Sequence, residues 1–271
     1  MEAAESPAVV VVTGAAQGIG RAVAGEIAAT GRAVAALDRD ASGVADTCEL
    51  IRAKGGSAAW YVVDVAERSE LGAVRDQILA DLGEVEGLVN NAGVVSFGGL
   101  RDVSPEEWAR VHRVNSASAL WVAQTFLTDL AARRGAIVNV ASIAAFAPSP
   151  TTGPYSVSKA AIAHLTRQMA VEWGPLGVRA NAVAPGLISG TGMTQVEEET
   201  DGLRDARAGI VPLGRTGRPE EVAAVVSFLL SDASRYVSGQ VLLVDGALSV
   251  SLLTHVPRPA EQWASGAGKP S

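Results

Sequence analysis

The stretch GPYSVSKAAIAHL, residues 153–165, sets Tyr155 and Lys159 four positions apart at the start of an Ala-rich helical pattern. On a helix that spacing puts both side chains on one face. A free phenol has a pKa of about 10, too high for a good base at neutral pH, and a nearby Lys cation favours the phenolate. The pair can therefore serve as a general acid/base centre, although such pairs also occur by chance on solvated helices. Ser142 follows the apolar run AIVNVA and can bond a substrate oxygen that gains or loses a proton; a turn or helix-cap role fits it equally. Asn115 falls inside the helical pattern RVHRVNSASALWVAQ, where Asn is a poor helix former; an ordinary buried amide is the alternative.

Those residues need elements to position them. Short apolar runs recur at 8–12, 33–37, 59–63, 87–90, 136–140, 178–183 and 240–244, alternating with longer helical patterns. Continuous apolar runs separated by helices indicate a parallel sheet covered on both faces, so the expected fold is α/β, doubly wound, with about seven strands. Ser104-Pro105-Glu106-Glu107 combines a capping box with Pro at the first helical position, and Gly217-Arg218-Pro219-Glu220-Glu221 opens a second helix. The first run leads straight into Thr13-Gly14-Ala15-Ala16-Gln17-Gly18-Ile19-Gly20 and a helical pattern. Glycines at such a turn let backbone N–H groups and the helix dipole hold a pyrophosphate. The second run ends at Asp38, where an acid can bond a ribose 2′-hydroxyl and repel a 2′-phosphate, which favours NAD over NADP. Arg39 beside it is the one feature that could accept such a phosphate. No Lys-Ser/Thr pair follows the turn, which argues against a P-loop nucleotidase.

Composition narrows the classes further. The 271 residues, 48% apolar and 19% charged, fit one domain spanning 1–271. The chain carries 22 Lys and Arg against 29 Asp and Glu, a net charge of −7, without a basic block, so no nucleic-acid partner is expected. Cys48 is the single cysteine and the three histidines are scattered, leaving no metal-ligand pattern. The start, MEAAESPAV, has no basic segment before its apolar run, and no run approaches the roughly 20 residues that span a bilayer, so a cytoplasmic protein with no membrane partner is expected. Residues 186–216, rich in Gly and acids, suggest a lid or substrate loop, and 257–271 read as a tail.

TGAAQGIG at 13–20, NNAG at 90–93, Asn115, Ser142, Tyr155 with Lys159, and Pro185-Gly186 occur in an order and spacing that resembles the single-domain short-chain dehydrogenase/reductase family over residues 8–248. The resemblance implies a Rossmann-type sheet ordered 3-2-1-4-5-6-7 and a catalytic set of Asn115, Ser142, Tyr155 and Lys159. It implies a dinucleotide held by Gly14, Gln17, Gly18, Ile19, Gly20, Asp38, Arg39, Asp64, Val65, Asn91, Ala92, Gly93, Tyr155, Lys159, Pro185, Gly186 and Ile188, with Asp64 meeting the adenine amino group and Asn115 holding a water that relays protons to the Lys. The family often has Thr two residues past Ile188; Gly190 stands there and Thr191 follows. Ala247 replaces the usual second glycine of the closing strand, a change read as of little consequence. The implied activity is NAD(H)-dependent interconversion of a secondary alcohol and a ketone in a homotetramer. Val94, Val95, Ser96, Phe97, Ala144, Phe146, Thr152, Leu187 and Met193 are the expected walls for a neutral small-molecule substrate. An NADPH-dependent 3-oxoacyl-thioester reductase is the alternative among enzymes. A dinucleotide-sensing regulator that has lost its catalytic residues is the alternative outside them, disfavoured because all four positions are present.

Overall fold

The structure is a computed structural model describing residues 7–148, 150, 152–191 and 202–251. Met193, His255 and the 257–271 tail fall outside them. Seven parallel strands, β1 (Val9–Thr13), β2 (Ala33–Asp38), β3 (Ala58–Val62), β4 (Val85–Asn90), β5 (Ala136–Val140), β6 (Arg179–Pro185) and β7 (Val241–Val244), form one sheet in the order β3-β2-β1-β4-β5-β6-β7. The direction of winding reverses between β1 and β4, the place where this architecture opens a crevice at the carboxyl ends of its strands.

The valines of β1 show why the runs are continuous rather than alternating. Val10 and Val12 enter a core shared with helices α1 (Gly18–Ala29) and α2 (Ala41–Ala53), while Val9 and Val11 face the opposite core. That second core is built with α3 (Leu71–Asp81), α5 (Ser118–Ala132) and α6 (Pro154–Trp173). All four valines are fully buried, each worth about 1.5–3 kcal/mol relative to exposure. An Asp at Val11 would leave a charge between sheet and helices and break this layer. The edge strand β3 does alternate: Trp60 and Val62 are exposed while Tyr61 is buried.

Helix α4 (Pro105–His112) begins as expected, with Ser104 Oγ accepting from Glu107 N at 3.1 Å. The other half of the capping box is not made, because the Glu107 carboxylate turns to Arg110. Between α4 and α5 the chain runs through a π turn, Arg113–Ala117, centred on Asn115. The 186–216 segment contributes a helix, α7 (Leu203–Ile210), and is pinned where Ile188 pairs with Gly217 just before α8 (Pro219–Leu230). Among the described residues, no helix is long and apolar enough to cross a membrane, and no cluster of His, Cys, Asp and Glu suits a metal ion.

Candidate active site

The turn after β1 is shaped by close backbone contacts. Gly14 has φ +66, and a Cβ there would lie 2.8 Å from Ala92 Cα. A Cβ on Gly20 would lie 2.0 Å from the Gly14 carbonyl oxygen, so the first turn of α1 presses onto the loop before it. Thr13 Oγ1 accepts from the N–H groups of Asn91 and Ala92 at 3.0 and 3.1 Å, and Asn91 Nδ2 donates to the carbonyls of Thr13 and Gly14 at 3.1 and 2.9 Å. The ends of β1 and β4 are thereby locked together. Arg21 and Thr47 clasp the loop from behind: Arg21 donates to Thr47 Oγ1 and to the carbonyls of Ala16 and Gly43, and Thr47 Oγ1 donates to Ala15 O. The sequence reading missed Thr13, Arg21 and Thr47; the only local signal was a hydroxyl and a cation flanking the glycines.

These ties bound a cleft of about 460 Å³ whose walls include Gly14, Gln17, Gly18, Ile19, Asp38, Arg39, Asp64, Val65, Asn91, Ala92 and Gly93, eleven of the expected cofactor residues. Asp38 is oriented by two backbone donors: its Oδ2 accepts from Ala16 N at 3.0 Å and its Oδ1 from Asp40 N at 3.0 Å. Arg39 is exposed. Asp64 lines the cleft, and its Oδ1 accepts from Ala66 N at 2.9 Å, which caps the turn after β3. The other six expected residues, Gly20, Tyr155, Lys159, Pro185, Gly186 and Ile188, do not line it: Gly20 packs on the Gly14 carbonyl, Gly186 lies against Asp245, and Lys159 and Ile188 are buried. Thr191 reaches the cleft beside Gly18, so the one-residue shift after Ile188 still delivers a Thr there. A larger groove, about 1000 Å³, lies between α1, α2 and the start of α8, but the side chains of Arg21 and Thr47 in its wall are already used in the loop clasp.

The catalytic candidates converge next to Gly93, a residue of the cleft wall, without lining the cleft themselves. Gly153 leaves the preceding loop with φ +44 and Pro154 opens α6 at its first turn, so Tyr155 and Lys159 project from one face. Lys159 is buried, its Nζ 5.7 Å from the Tyr155 ring centroid and donating to Val140 O at 2.8 Å. Ser142 hydrogen-bonds Tyr155 while its Oγ also accepts from Ala144 N at 3.1 Å, combining the site and turn roles. Asn115 Oδ1 accepts from Val94 N at 2.7 Å, and its Nδ2 donates to Val94 O and Ser158 Oγ, both at 2.9 Å. A Cβ on Gly93 would lie 3.3 Å from Asn115 Oδ1 and 3.4 Å from Lys159 Nζ, so Gly93 joins the Asn and the Lys to the cleft. The Asn115 amide ties the loop after β4 to α6.

The electrostatics set opposing influences on one phenol. Lys159 together with the charge of a bound nicotinamide was expected to favour the Tyr155 phenolate; in the protein by itself burial pushes the phenol above its ordinary value, with the Ser142 hydrogen bond opposing. Burial also brings Lys159 down to about 8, which weakens the cation that was to do the lowering. Of the expected substrate walls, Val94 and Val95 line the cleft, Ser96 is buried, and Phe97 and Phe146 are exposed. The loops carrying Phe97 and Thr152 meet through a bridge between Gly98 and Thr152.

Comparison with known proteins follows the same lines. A family model described as enoyl-(acyl carrier protein) reductase matches residues 14–249. The chain is 38% identical to L-2,3-butanediol dehydrogenase of Corynebacterium glutamicum over 253 residues, covering 89% of this chain and 98% of that one. It is 36% identical to a 3-oxoacyl-(acyl-carrier-protein) reductase of Thermotoga maritima over 243 residues, covering 89% and 98%. A gluconate 5-dehydrogenase from Burkholderia cenocepacia, solved with NADP and tartrate, superposes with a TM-score of 0.85 at 33% identity, covering 91% of this chain and 97% of that one.

Proposed function

Because the chain belongs to the short-chain dehydrogenase/reductase family, we propose that it interconverts a secondary alcohol and the corresponding ketone using NAD(H). The observation that carries this reading is the convergence of Ser142, Tyr155, Lys159 and Asn115 next to Gly93, in the wall of a cleft whose middle is a glycine cradle. The bound nicotinamide dinucleotide supplies or accepts the hydride. The backbone of the Gly14–Gly20 turn and the N-terminus of α1 suit its pyrophosphate, since side chains at Gly14 or Gly20 would fill that space. Asp38, fixed by Ala16 and Asp40, keeps acceptor lone pairs for ribose hydroxyls and repels a 2′-phosphate.

Tyr155 moves the proton. Its raised pKa keeps the phenol protonated at neutral pH, which suits donation to an oxygen becoming an alkoxide in the reducing direction. Ser142, bonded to the same phenol, orients the substrate oxygen beside it. Lys159 holds its place through Val140 O, and its positive charge, present below pH about 8, stabilises the phenolate left after transfer.

A second reading, an NADPH-dependent 3-oxoacyl-thioester reductase, draws on exposed Arg39 beside Asp38 and on the Thermotoga relative. Turnover of secondary alcohols and ketones with each dinucleotide separates the two. The expected result is at least about tenfold higher kcat/KM with NAD(H), as one repelled charge implies; a preference for NADP(H) refutes the role given to Asp38. Tyr155→Phe should lower kcat about 10²- to 10⁴-fold and leave NADH binding intact. Unchanged turnover in that variant refutes the mechanism.

A further inference from the structure

The reacting end of the cleft lies beside Gly93 and the pyrophosphate cradle lies in its middle, so the base of a dinucleotide belongs at the opposite end, over the ends of β2 and β3. Leu37, Val63 and Val65 wall that end and Asp64 supplies an acceptor. The chain leaving α4 closes it. Arg113 Nε donates to Ala66 O at 2.9 Å, which fixes the end of α4 against the segment after β3. Val114 and, four residues earlier, Arg110 line the cleft there.

Arg110 is an exposed residue, with 48% of its side chain accessible, but its guanidinium is paired. Its Nε and Nη2 meet the two carboxylate oxygens of Glu107 at 2.7 and 2.8 Å, and Glu107 is also hydrogen-bonded to Ser96, which is only 8% exposed. The guanidinium plane is therefore held in place, and its charge is balanced by its partner. A fixed, planar, charge-balanced guanidinium is a weak phosphate trap but a good surface for stacking on an aromatic ring. Ser96 lies in the loop that follows Gly93, so the same clasp joins the base end of the cleft to the loop beside the reacting end.

We propose that Arg110 recognises the purine of the bound dinucleotide by covering its ring, with Glu107 holding the guanidinium plane. The inference rests on the dinucleotide reading above, and its test separates the two. Binding of whichever of NADH and NADPH the wild type takes is followed by nicotinamide fluorescence in wild type, Arg110→Ala and Arg110→Lys, at low and high salt. The expected result is an affinity loss of about fivefold in Arg110→Ala that is the same at both salt concentrations, with no recovery in Arg110→Lys, since Lys has the charge but not the plane. An unchanged affinity in Arg110→Ala, full recovery with Lys, or a loss that vanishes at high salt overturns the inference and leaves the oxidoreductase reading standing. A wild type that binds neither dinucleotide refutes that reading, and this one with it.

Discussion

Replacing Lys159 by methionine should abolish turnover and yet stabilise the protein at neutral pH. Lys159 is 3% exposed, and burial lowers its pKa from an ordinary 10.5 to about 8. That gap, at about 1.36 kcal/mol per pH unit, means the native fold disfavours the ammonium by about 3 kcal/mol. Between about pH 8 and 10.5 the unfolded chain binds the proton more tightly than the native one, so wild-type stability rises with pH across that window. The penalty is fully present below about 8 and gone above 10.5. Methionine does not titrate, but it abandons the bond to Val140 O, a loss of about 1 kcal/mol at every pH. The variant should therefore be more stable than wild type by about 2 kcal/mol at neutral pH and less stable by about 1 kcal/mol once the lysine is neutral in both states. Urea unfolding of the two proteins, followed by tryptophan fluorescence across that range, measures the difference directly. A stability difference that does not change with pH would refute the assignment of a strained, buried ammonium at this site.

Three further outcomes follow from the backbone. Gly20→Ala places a methyl 2.0 Å from Gly14 O and should eliminate dinucleotide binding in a fluorescence titration, whereas Gly25→Ala, on the same helix with nothing within 4 Å, should raise stability by about 0.5–1 kcal/mol and leave binding alone. Ala247 stands at φ +71, the left-handed region, so its replacement of a glycine carries strain rather than being of little consequence; Ala247→Gly should stabilise by about 1 kcal/mol in thermal unfolding.

Residues whose roles depend on sequence neighbours were legible, and those whose roles depend on a sum over distant neighbours were not. The apolar run of β1 is readable because both faces of the strand meet helices, and Asn115 is readable because Asn disturbs a helix that here adopts a π turn. Helix α7 was not, since an acidic, Gly-rich stretch gives little periodicity; the chain just after it is anchored where Val211 fits against Gly246, a contact between parts far apart in sequence. Arg110 reads locally as half of an ordinary pair with Glu107 three residues before it, and becomes part of a cleft only because Arg113 docks on Ala66. The Tyr155 and Lys159 pair makes the same point about energies. Spacing revealed the attraction between a cation and a phenolate but not the burial that opposes both charges, and burial wins: it raises the phenol and brings the ammonium down to about 8. Motif spacing thus locates a catalytic pair, while the direction in which its protons are biased is decided by the packing around it.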